Sequence, residues 1–346
     1  MRAGYGECFP GGVRIEKIDA AADVDAVRAL YDVYRAGAPV DEAGSPPMSL
    51  AVFSGLTRRG WCDEPHETWL ARAQSGGPGD EVVGGYTLEL PDRENRDRAG
   101  LTLRVAPAHR RAGAGTALLR HAADRARALG RPTLTSEVQA ETPGDAFARA
   151  IGATVQLTEA RRTLDVGTIP PGYLAELHAS VKAAADGYTI LDWSGPPPET
   201  CLAGVADLNQ AMGDAPHGAG EEVLSWDVAR VREVYRLEAV MGLRHYSVAA
   251  REEATGELAG LTELSVDPAD PEWGHQELTA VVRAHRGHRL GLLLKVAMLE
   301  LLAEREPRLR WIETFNADSN KHMIAVNEAL GCQVTGHLQS WRLATA

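Results

Sequence analysis

The sequence feature that most constrains the fold of this chain is an internal repeat. The segment LTLRVAPAHRRAGAG at residues 101–115 recurs 176 residues later as ELTAVVRAHRGHRLG at residues 277–291. The matching positions are Val105 with Val281, Arg110 with Arg286, and Gly115 with Gly291. Each copy begins as a β-type run, turns at Ala-His-Arg and enters an amphipathic helix. Because the spacing is about half of the 346 residues, the repeat predicts two copies of one domain.

The order of the elements around the repeat also recurs. Each half predicts a strand, two helices, three strands, a long helix, a strand, a short helix and two closing strands. The long helices have apolar residues three and four positions apart, which is typical of half-buried helices; these are Leu118, Ala122, Ala126 and Leu129, then Leu293, Leu294, Ala297 and Leu301. The predicted fold class is α/β, with a central mixed sheet flanked by helices in each copy. The predicted domains are 1–168 and 187–346, joined by a linking helix within 169–186.

Composition narrows the class of protein. The formal net charge is −12, which disfavours nucleic-acid binding because that function needs a basic surface. The sequence has neither an apolar stretch of about 20 residues nor an N-terminal secretory pattern, so we expect a cytoplasmic protein without membrane contact. Its four cysteines are far apart, which predicts reduced thiols and neither a zinc site nor a disulfide framework; they are Cys8, Cys62, Cys201 and Cys332. The histidines of the sequence lack matching second ligands at the spacing of a metal site, so we expect no bound metal.

The repeated loop has a physical meaning of its own. A strand that runs through Arg-x-x-Gly-x-Gly into a helix presents unpaired backbone N–H groups and the positive end of the helix dipole to an anion. Glycine allows a phosphate to approach the main chain closely. The first copy has the full form in Arg110, Gly113 and Gly115, whereas the second has Arg289 at the first glycine position. Both loops therefore predict a pyrophosphate site, and Arg289 adds a cation there.

Both segments resemble motif A of the GNAT superfamily of acetyl-CoA-dependent N-acetyltransferases, whose signature is Arg/Gln-x-x-Gly-x-Gly/Ala. The end of the second half is similar to that family as well, in Asn316, Asn320, Met323, Val326-Asn327 and Leu330-Gly331. The resemblance covers nearly the whole chain, as a tandem GNAT protein. It implies acetyl-CoA as co-substrate and a small-molecule or peptide amine as acceptor.

The resemblance also implies roles for individual residues. The main chain of Val281, Val282 and Arg283 would pair with the pantetheine arm of CoA. Backbone amides of the second loop would hold the pyrophosphate; the residues are Arg286, Gly287, His288, Arg289, Leu290, Gly291 and Leu292. Asn320 and Asn327, in the closing helix, complete the predicted cofactor-binding set of the second half. The equivalent positions of the first half are Val105, Arg110, Gly113 and Gly115.

The two halves differ in residues that could accept a proton. Amide formation needs a neutral amine, and a lysine-like amine has a pKa of about 10.4, so a base is required. Side chains alternate along a strand, and we expect His275, Glu277 and Thr279 to share the face of Val281. The corresponding residues of the first half, Ala99, Leu101 and Leu103, cannot accept a proton. We therefore predict catalysis in the second half, with Glu277 as the base and His275 as the alternative.

The general acid is less well defined. Many family members carry a tyrosine four residues before the glycine that ends the closing helix, but Asn327 and Ala148 stand at those positions. Water or another tyrosine such as Tyr246 could protonate the thiolate. The primary expectation is acetyl transfer to an amine. The alternatives are a CoA-binding sensor or scaffold without turnover, and a tandem acyltransferase with a different nucleophile, as in mycothiol-synthase-like enzymes. The sequence carries no signal for the acceptor or the oligomeric state.

Overall fold

The structure is a computed structural model, which describes residues 7–9, 12–60, 62, 64–73, 81–214, 218 and 220–345. The chain divides into two compact units. Unit 1 contains the described residues of 1–158, 218–222 and 338–346, and unit 2 those of 159–217 and 223–337. Among the described residues, no helix is both long and apolar enough to cross a membrane.

Unit 1 is a mixed sheet with helices on both faces. Its strands are β1 (Glu7–Phe9), β2 (Val13–Ile18), β3 (His66–Ala73), β4 (Val82–Glu89), β5 (Arg98–Val105), β6 (Thr133–Gln139) and the first part of β7 (Thr154–Asp165). Its helices are α1 (Val24–Asp41), α2 (Leu50–Arg59), α3 (Ala114–Ala128) and α4 (Pro143–Ala150). Strands β1 to β6 are adjacent in chain order. Neighbours are antiparallel except β5 and β6, which are parallel.

Unit 2 repeats this arrangement. It contains the rest of β7, then α5 (Tyr173–Lys182), β8 (Tyr188–Ser194), α6 (Leu202–Ala211), α7 (Val228–Met241), β9 (Arg244–Glu252), β10 (Leu258–Val266), β11 (Trp273–Val281), α8 (Leu290–Arg305), β12 (Trp311–Ala317), α9 (Lys321–Ala329) and the first part of β13 (Gln333–Ala344). The strand order is β7-β12-β11-β10-β9-β8. Only β11 and β12 form a parallel pair within that order.

Each sheet has apolar cores on both faces. In unit 1, Leu118 of α3 is fully buried against one face, and Leu30 and Phe53 of α1 and α2 are buried on the other. In unit 2, Leu293 of α8 and Val231 of α7 have the equivalent places. Most of each helical stripe read from the sequence therefore faces its sheet, as the burial of apolar area requires. Leu129 is the exception, because it follows the last residue of α3 and is exposed.

The closing strands differ from the prediction. Each half was expected to end in two strands, but each ends in one long strand. Residues Leu338 to Ala344 of β13 pair with β6 in unit 1, and residues Glu159 to Asp165 of β7 pair with β12 in unit 2. The division of the chain therefore departs from the predicted boundaries, because strand pairing places residues 338–346 in unit 1 and those from 159 onward in unit 2.

The linking helix is α5, which the structure includes in unit 2. Val181 is fully buried, and Leu174 and Leu177 pack against the core formed with α8. His178 Nδ1 lies 2.8 Å from Glu300 Oε2 on α8. The segment therefore covers the face of α8 instead of serving as a free connection.

Candidate active site

The two repeated loops have the same backbone conformation. In each, a short 3-10 turn is followed by an arginine whose Nε donates to a strand carbonyl: Arg110 to Val105 O at 2.9 Å, and Arg286 to Val281 O at 3.2 Å. The next residues with a left-handed backbone are Arg111 and Gly113 in unit 1, with φ of 63° and 95°, and Gly287 and Arg289 in unit 2, with φ of 94° and 55°. Arginine and glycine thus exchange places between the loops while the conformation is kept.

This conformation leaves a short run of backbone N–H groups free in unit 2. The N–H of Arg286 donates to Arg283 O at 3.3 Å, and that of Leu292 to Arg289 O at 3.2 Å. The backbone N–H groups of the first and last residues of the predicted pyrophosphate segment are therefore already hydrogen-bonded within the protein. Between them, no described residue accepts a backbone hydrogen bond from the N–H groups of Gly287 to Gly291. These five amides surround the start of α8, where the helix dipole favours an anion.

At Gly115 and Gly291, neither the backbone conformation nor the packing of the protein requires a glycine. Neither has a left-handed backbone. A Cβ added at Gly291 would meet nothing within 4 Å, and one at Gly115 would only contact Phe147 and Val105 at 3.8 Å. The open space at these positions fits a pyrophosphate lying close to the main chain, and this observation supports CoA as the ligand of both loops.

The strand before each loop offers an open edge. β11 pairs with β12 only as far as His275, opposite Glu313, so beyond that point one edge of β11 has no partner among the described strands. The N–H of Val282 donates to Ala259 O at 2.9 Å and is unavailable to a ligand. Because backbone groups alternate along a strand, the N–H of Val281 faces the open edge. The prediction that Val282 pairs with pantetheine is therefore wrong for its N–H group.

The prediction that Glu277 and Thr279 share a face of β11 is also wrong. Ser265 Oγ donates to Glu277 Oε1 at 2.6 Å, and the Oγ1 atoms of Thr262 and Thr279 are 2.8 Å apart. Ser265 and Thr262 are three residues apart on β10 and therefore point to opposite faces. The cause is a shift in the β10–β11 register after Thr262, a β-bulge that places one extra residue in β11.

His275 and Glu277 do lie on one face. His275 is the cross-strand partner of Ser265, whose hydroxyl contacts Glu277. Val281 lies on the opposite face, where it packs against the core beneath α8. The bulge thus turns both candidate bases toward the side of the sheet that α6 and α7 cover.

The environments of the two candidate bases differ. Glu277 is exposed on the surface of the sheet, while the protein around its carboxyl group displaces part of the solvent; this desolvation raises the pKa of Glu277, and repulsion by Glu238 adds to the rise, against the hydrogen bond from Ser265. His275 Nδ1 lies 2.9 Å from Glu313 Oε1, and Glu313 is buried. Desolvation alone would lower the pKa of His275, but the bond to Glu313 and its charge raise it. The raised pKa makes Glu277 a stronger base than an ordinary glutamate, and the contact with Glu313 favours the protonated form of His275.

A buried ionic cluster lies behind these residues. His245 Nδ1 is 2.6 Å from Glu238 Oε2, and its Nε2 is 3.7 Å from Glu263 Oε1. Tyr235 donates a hydrogen bond to Glu263. Burial opposes the charged form of His245, yet the carboxylates of Glu238 and Glu263 beside the ring raise its pKa to about 10. The cluster holds a cationic imidazole near Glu277.

Two predicted residues of the closing helix have structural contacts. Asn320 caps α9 by accepting from the N–H of Met323 at 3.2 Å. Asn327 is fully buried; its Oδ1 accepts from Lys295 Nζ at 2.8 Å and its Nδ2 donates to Asn316 at 2.7 Å. Both ends of the Asn327 amide are therefore occupied, so that its predicted contact with the cofactor is wrong.

Tyr246 does not qualify as the general acid. Its hydroxyl donates to Glu306 Oε1 at 2.6 Å, and the ring belongs to the buried core beneath α8. Burial and the bond to Glu306 raise its pKa to about 12. Cys62, Cys201 and Cys332 form no disulfide with one another, while the side chain of Cys8 lies outside the described part of the chain.

Unit 1 contains a cavity of about 1530 Å³ beside its own loop. Arg110, Gly113 and Gly115 line one region of it, and Glu89 and Gly100 line another. Glu89 is open to the cavity, while the surrounding protein desolvates its carboxyl group. This desolvation raises the pKa of Glu89; the charge of His66 lowers it and that of Glu64 raises it.

Comparison with known proteins agrees with this geometry. The model of the acetyltransferase (GNAT) family matches residues 28–152. The mycothiol acetyltransferase of Tsukamurella paurometabola is 30% identical over 260 residues, which cover 74% of this chain and 82% of that protein. A tandem GNAT protein from the clavulanic acid biosynthesis pathway is 31% identical, with a TM-score of 0.81 over 96% of this chain and 99% of its own. The chain belongs to the GNAT acetyltransferase family.

A GCN5-related N-acetyltransferase from Sphaerobacter thermophilus shares the fold, with a TM-score of 0.65 at 16% identity over 97% of this chain and 96% of that one. The tandem GNAT fold and the N-acetyltransferase activity that the resemblance to motif A implied are confirmed by these comparisons. Sequence reasoning on the GNAT motif missed Ser265, Glu313 and Glu89. The first two are contacts made across neighbouring strands, and Glu89 lies outside the motif strand that was searched for a base.

Proposed function

We propose that unit 2 transfers an acetyl group from acetyl-CoA to a primary amine of a small molecule or peptide, with Glu277 as the general base. The observation that carries the proposal is the bulge in β11, which turns Glu277 and His275 to one face where β11 and β12 separate. The free amides of Gly287 to Gly291 would hold the pyrophosphate on the same strand-loop-helix unit. The name of the Tsukamurella relative supports acetyl as the acyl group.

The reaction needs two proton transfers. The amine nitrogen attacks the thioester carbon, the new C–N bond forms, and the amine proton passes to the Glu277 carboxylate. The C–S bond then breaks, and the CoA thiolate takes a proton from the protonated His275. The raised pKa of Glu277 brings the base closer to neutral pH, which favours proton transfer from an amine. Glu313 raises the pKa of His275, which favours the protonated imidazole that would donate the proton to the thiolate.

Glu277→Gln tests the base. We expect kcat to fall by about 10²–10⁴-fold, the usual contribution of general base catalysis, while the Kd for acetyl-CoA measured by calorimetry stays the same. Glu257→Gln, in the exposed β9–β10 turn, is the matched control and should retain full activity. Unchanged kcat in Glu277→Gln would exclude Glu277 as the general base. Unchanged kcat in His275→Gln would likewise exclude His275 as the general acid.

A second candidate is a CoA-binding sensor without turnover. It is favoured by Asn327 at the position where many relatives have a tyrosine, since its amide is fully engaged by Lys295 and Asn316. Acetyl-CoA binding without release of CoA thiol, across amines that include amino acids, polyamines, amino sugars and short peptides, would support this candidate.

A further inference from the structure

The two units can be aligned where their central strands separate. In unit 1 the last parallel pair of β5 and β6 is Gly100 with Thr135, and Glu89 is the β4 partner of Gly100. In unit 2 the last parallel pair of β11 and β12 is His275 with Glu313, and Ser265 is the β10 partner of His275. Glu89 therefore stands in the row of cross-strand partners that contains His275 and Glu313 in unit 2.

The absence of a side chain at Gly100 opens this row to Glu89. A Cβ added at Gly100 would lie 2.9 Å from Glu89 Oε2 and 3.3 Å from its Cβ. Side chains of directly opposed residues point to the same face of a sheet. The Glu89 carboxyl thus lies over Gly100, in the row where unit 2 carries the His275 ring. The β4–β5 register has no bulge. The position of the Glu89 carboxyl therefore follows from regular strand pairing, whereas that of Glu277 follows from a bulge.

One cavity joins this carboxyl to the phosphate loop. The lining includes Gly113 and Gly115 of the loop, Val105 at the end of β5, and Gly100 with Glu89 farther along the sheet. Its volume of about 1530 Å³ exceeds the roughly 300–1,000 Å³ typical of a site for one small ligand. The cavity has room for the arm of a CoA thioester and for an acceptor beside Glu89.

The wall of the cavity also carries a cation. Arg342 of β13 lines it, and the described polar contact of its guanidinium is a 3.4 Å hydrogen bond from Nη2 to Thr133 Oγ1. Arg98, in contrast, is held by Asp97, Glu221 and the carbonyl of Gly220. A guanidinium without a carboxylate partner among the described residues fits a carboxylate on the acceptor.

We propose that unit 1 is a second acyl-transfer site, in which Glu89 accepts the proton of an amino acid or peptide amine and Arg342 binds the acceptor's carboxylate. The amine nitrogen attacks the thioester carbon of acetyl-CoA bound at the Gly113–Gly115 loop. The C–N bond forms, the C–S bond breaks, and the amine proton passes to Glu89. The thiolate leaves and is protonated by solvent water. This site requires neither Glu277 nor His275.

The test uses the full chain with Gly291→Glu, which introduces a negative charge into the loop of unit 2. Release of CoA thiol is measured with acetyl-CoA and free amino acids, beside the matching amines without the carboxylate, such as lysine beside cadaverine. We expect turnover of the amino acids and at least tenfold less with the decarboxylated amines. Absence of turnover in this background would overturn the proposal.

Glu89→Gln is then added to the same background. We expect kcat to fall at least 100-fold while the Kd for acetyl-CoA, measured by calorimetry, stays the same; unchanged kcat would overturn the proposal. Gly100→Ala, which displaces the carboxyl without removing it, should lower kcat as well and guards against misfolding of Glu89→Gln. Asp124→Asn, an exposed residue on α3 whose partner is Arg127, is the control and should leave kcat unchanged.

The same variants separate this proposal from the function assigned to unit 2. Gly115→Glu alone leaves the unit 2 loop intact, and turnover that survives in it belongs to unit 2. If Gly115→Glu abolishes turnover and Gly291→Glu does not, the unit 2 function fails while the unit 1 site stands. The reverse result overturns the unit 1 site alone.

Discussion

Arg289 and Gly113 occupy the same position in the two repeated loops: each is the residue before a helix, with φ of 55° and 95°. A left-handed backbone costs a non-glycine residue roughly 1–2 kcal/mol. In unit 2 the strained residue is Arg289, and in unit 1 it is Arg111, whose φ is 63°. The two loops thus carry the same strain at different places, with a guanidinium beside the candidate phosphate site in each.

Arg289→Gly should raise stability and lower affinity together. Relief of the left-handed strain exceeds the entropy that glycine adds to the unfolded chain, so the free energy of unfolding should rise by about 0.5–1 kcal/mol. Loss of the cation should weaken acetyl-CoA binding several-fold. Denaturant unfolding and calorimetry check the two effects. Arg289→Lys, which keeps both charge and strain, should change neither by much, and tighter binding in Arg289→Gly would contradict the assignment of the loop.

Glutamate in place of Gly115 or Gly291 should show which of the two loops binds acetyl-CoA. Gly115→Glu and Gly291→Glu each put a negative charge and a side chain into the space against the main chain, and each should weaken acetyl-CoA binding at its own loop by at least about 30-fold, or 2 kcal/mol. Calorimetric titration of both variants and wild type gives the number of sites lost.

A matched control for the glutamate variants is Ala179→Glu on the exposed side of α5, which adds the same charge to unit 2 away from the loop. Full binding in Gly291→Glu would show that unit 2 does not hold CoA through this loop. Loss of binding in Ala179→Glu would show that net charge, not the loop, decides affinity.

His245 should make the stability of the protein fall at alkaline pH. Its pKa of about 10 in the folded protein lies above the unfolded value of about 6.5. The stabilisation is therefore complete below pH 6.5 and is lost as the pH rises through 10, at about 1.4 kcal/mol per unit of pKa difference. Denaturant unfolding of wild type and His245→Gln between pH 6 and pH 10.5 measures it, and the difference between the two should shrink as the pH rises.

The comparison with His245→Gln is needed because Lys295 acts in the opposite direction. Burial lowers the pKa of Lys295 to about 8, below its unfolded value of about 10.4. The cost of burying its charge is present below pH 8 and is relieved as the pH rises toward 10.4. Wild-type stability alone would combine both effects. A difference between the two proteins that does not depend on pH would refute the assigned charge of His245.

Glu67 should determine the acid stability of unit 1. Its buried carboxylate contacts Lys17 Nζ at 2.7 Å and Arg125 at 2.6 and 2.8 Å. Desolvation opposes ionisation, but these two cations lower its pKa to about 2. The folded pKa lies below the unfolded value, so this stabilisation is present above about pH 4.5 and is lost as the pH falls through 2.

Glu67→Gln should cost about 2 kcal/mol of unfolding free energy at pH 7, somewhat less than a fully buried pair because both cations are partly exposed. Asp32→Asn, which breaks the exposed pair with Arg28, is the control and should cost less than about 0.5 kcal/mol. Equal losses in the two variants would show that burial of Glu67 contributes nothing.

The repeat predicts most of the fold because its information is local. Apolar residues at helical spacing set Leu118 and Leu293 against the sheets, and the loop motif sets the left-handed turn before each long helix. The face of Glu277 could not be predicted in this way. One extra residue in β11 inverts the alternation, and it is visible only in the pairing with β10. Glu89 was missed because its place depends on the partner strand and on the empty space at Gly100.

The division of β13 between the units has a consequence for biosynthesis. Residues Leu338 to Ala344, which lie beside β6 in unit 1, are translated about 200 residues after β6 itself. At about 5–20 residues per second, the edge of β6 waits roughly ten to forty seconds for its neighbour. During that interval its backbone is open to pairing with other chains. The sheet of the nascent N-terminal half is therefore completed only after residues 338–344 have been synthesised.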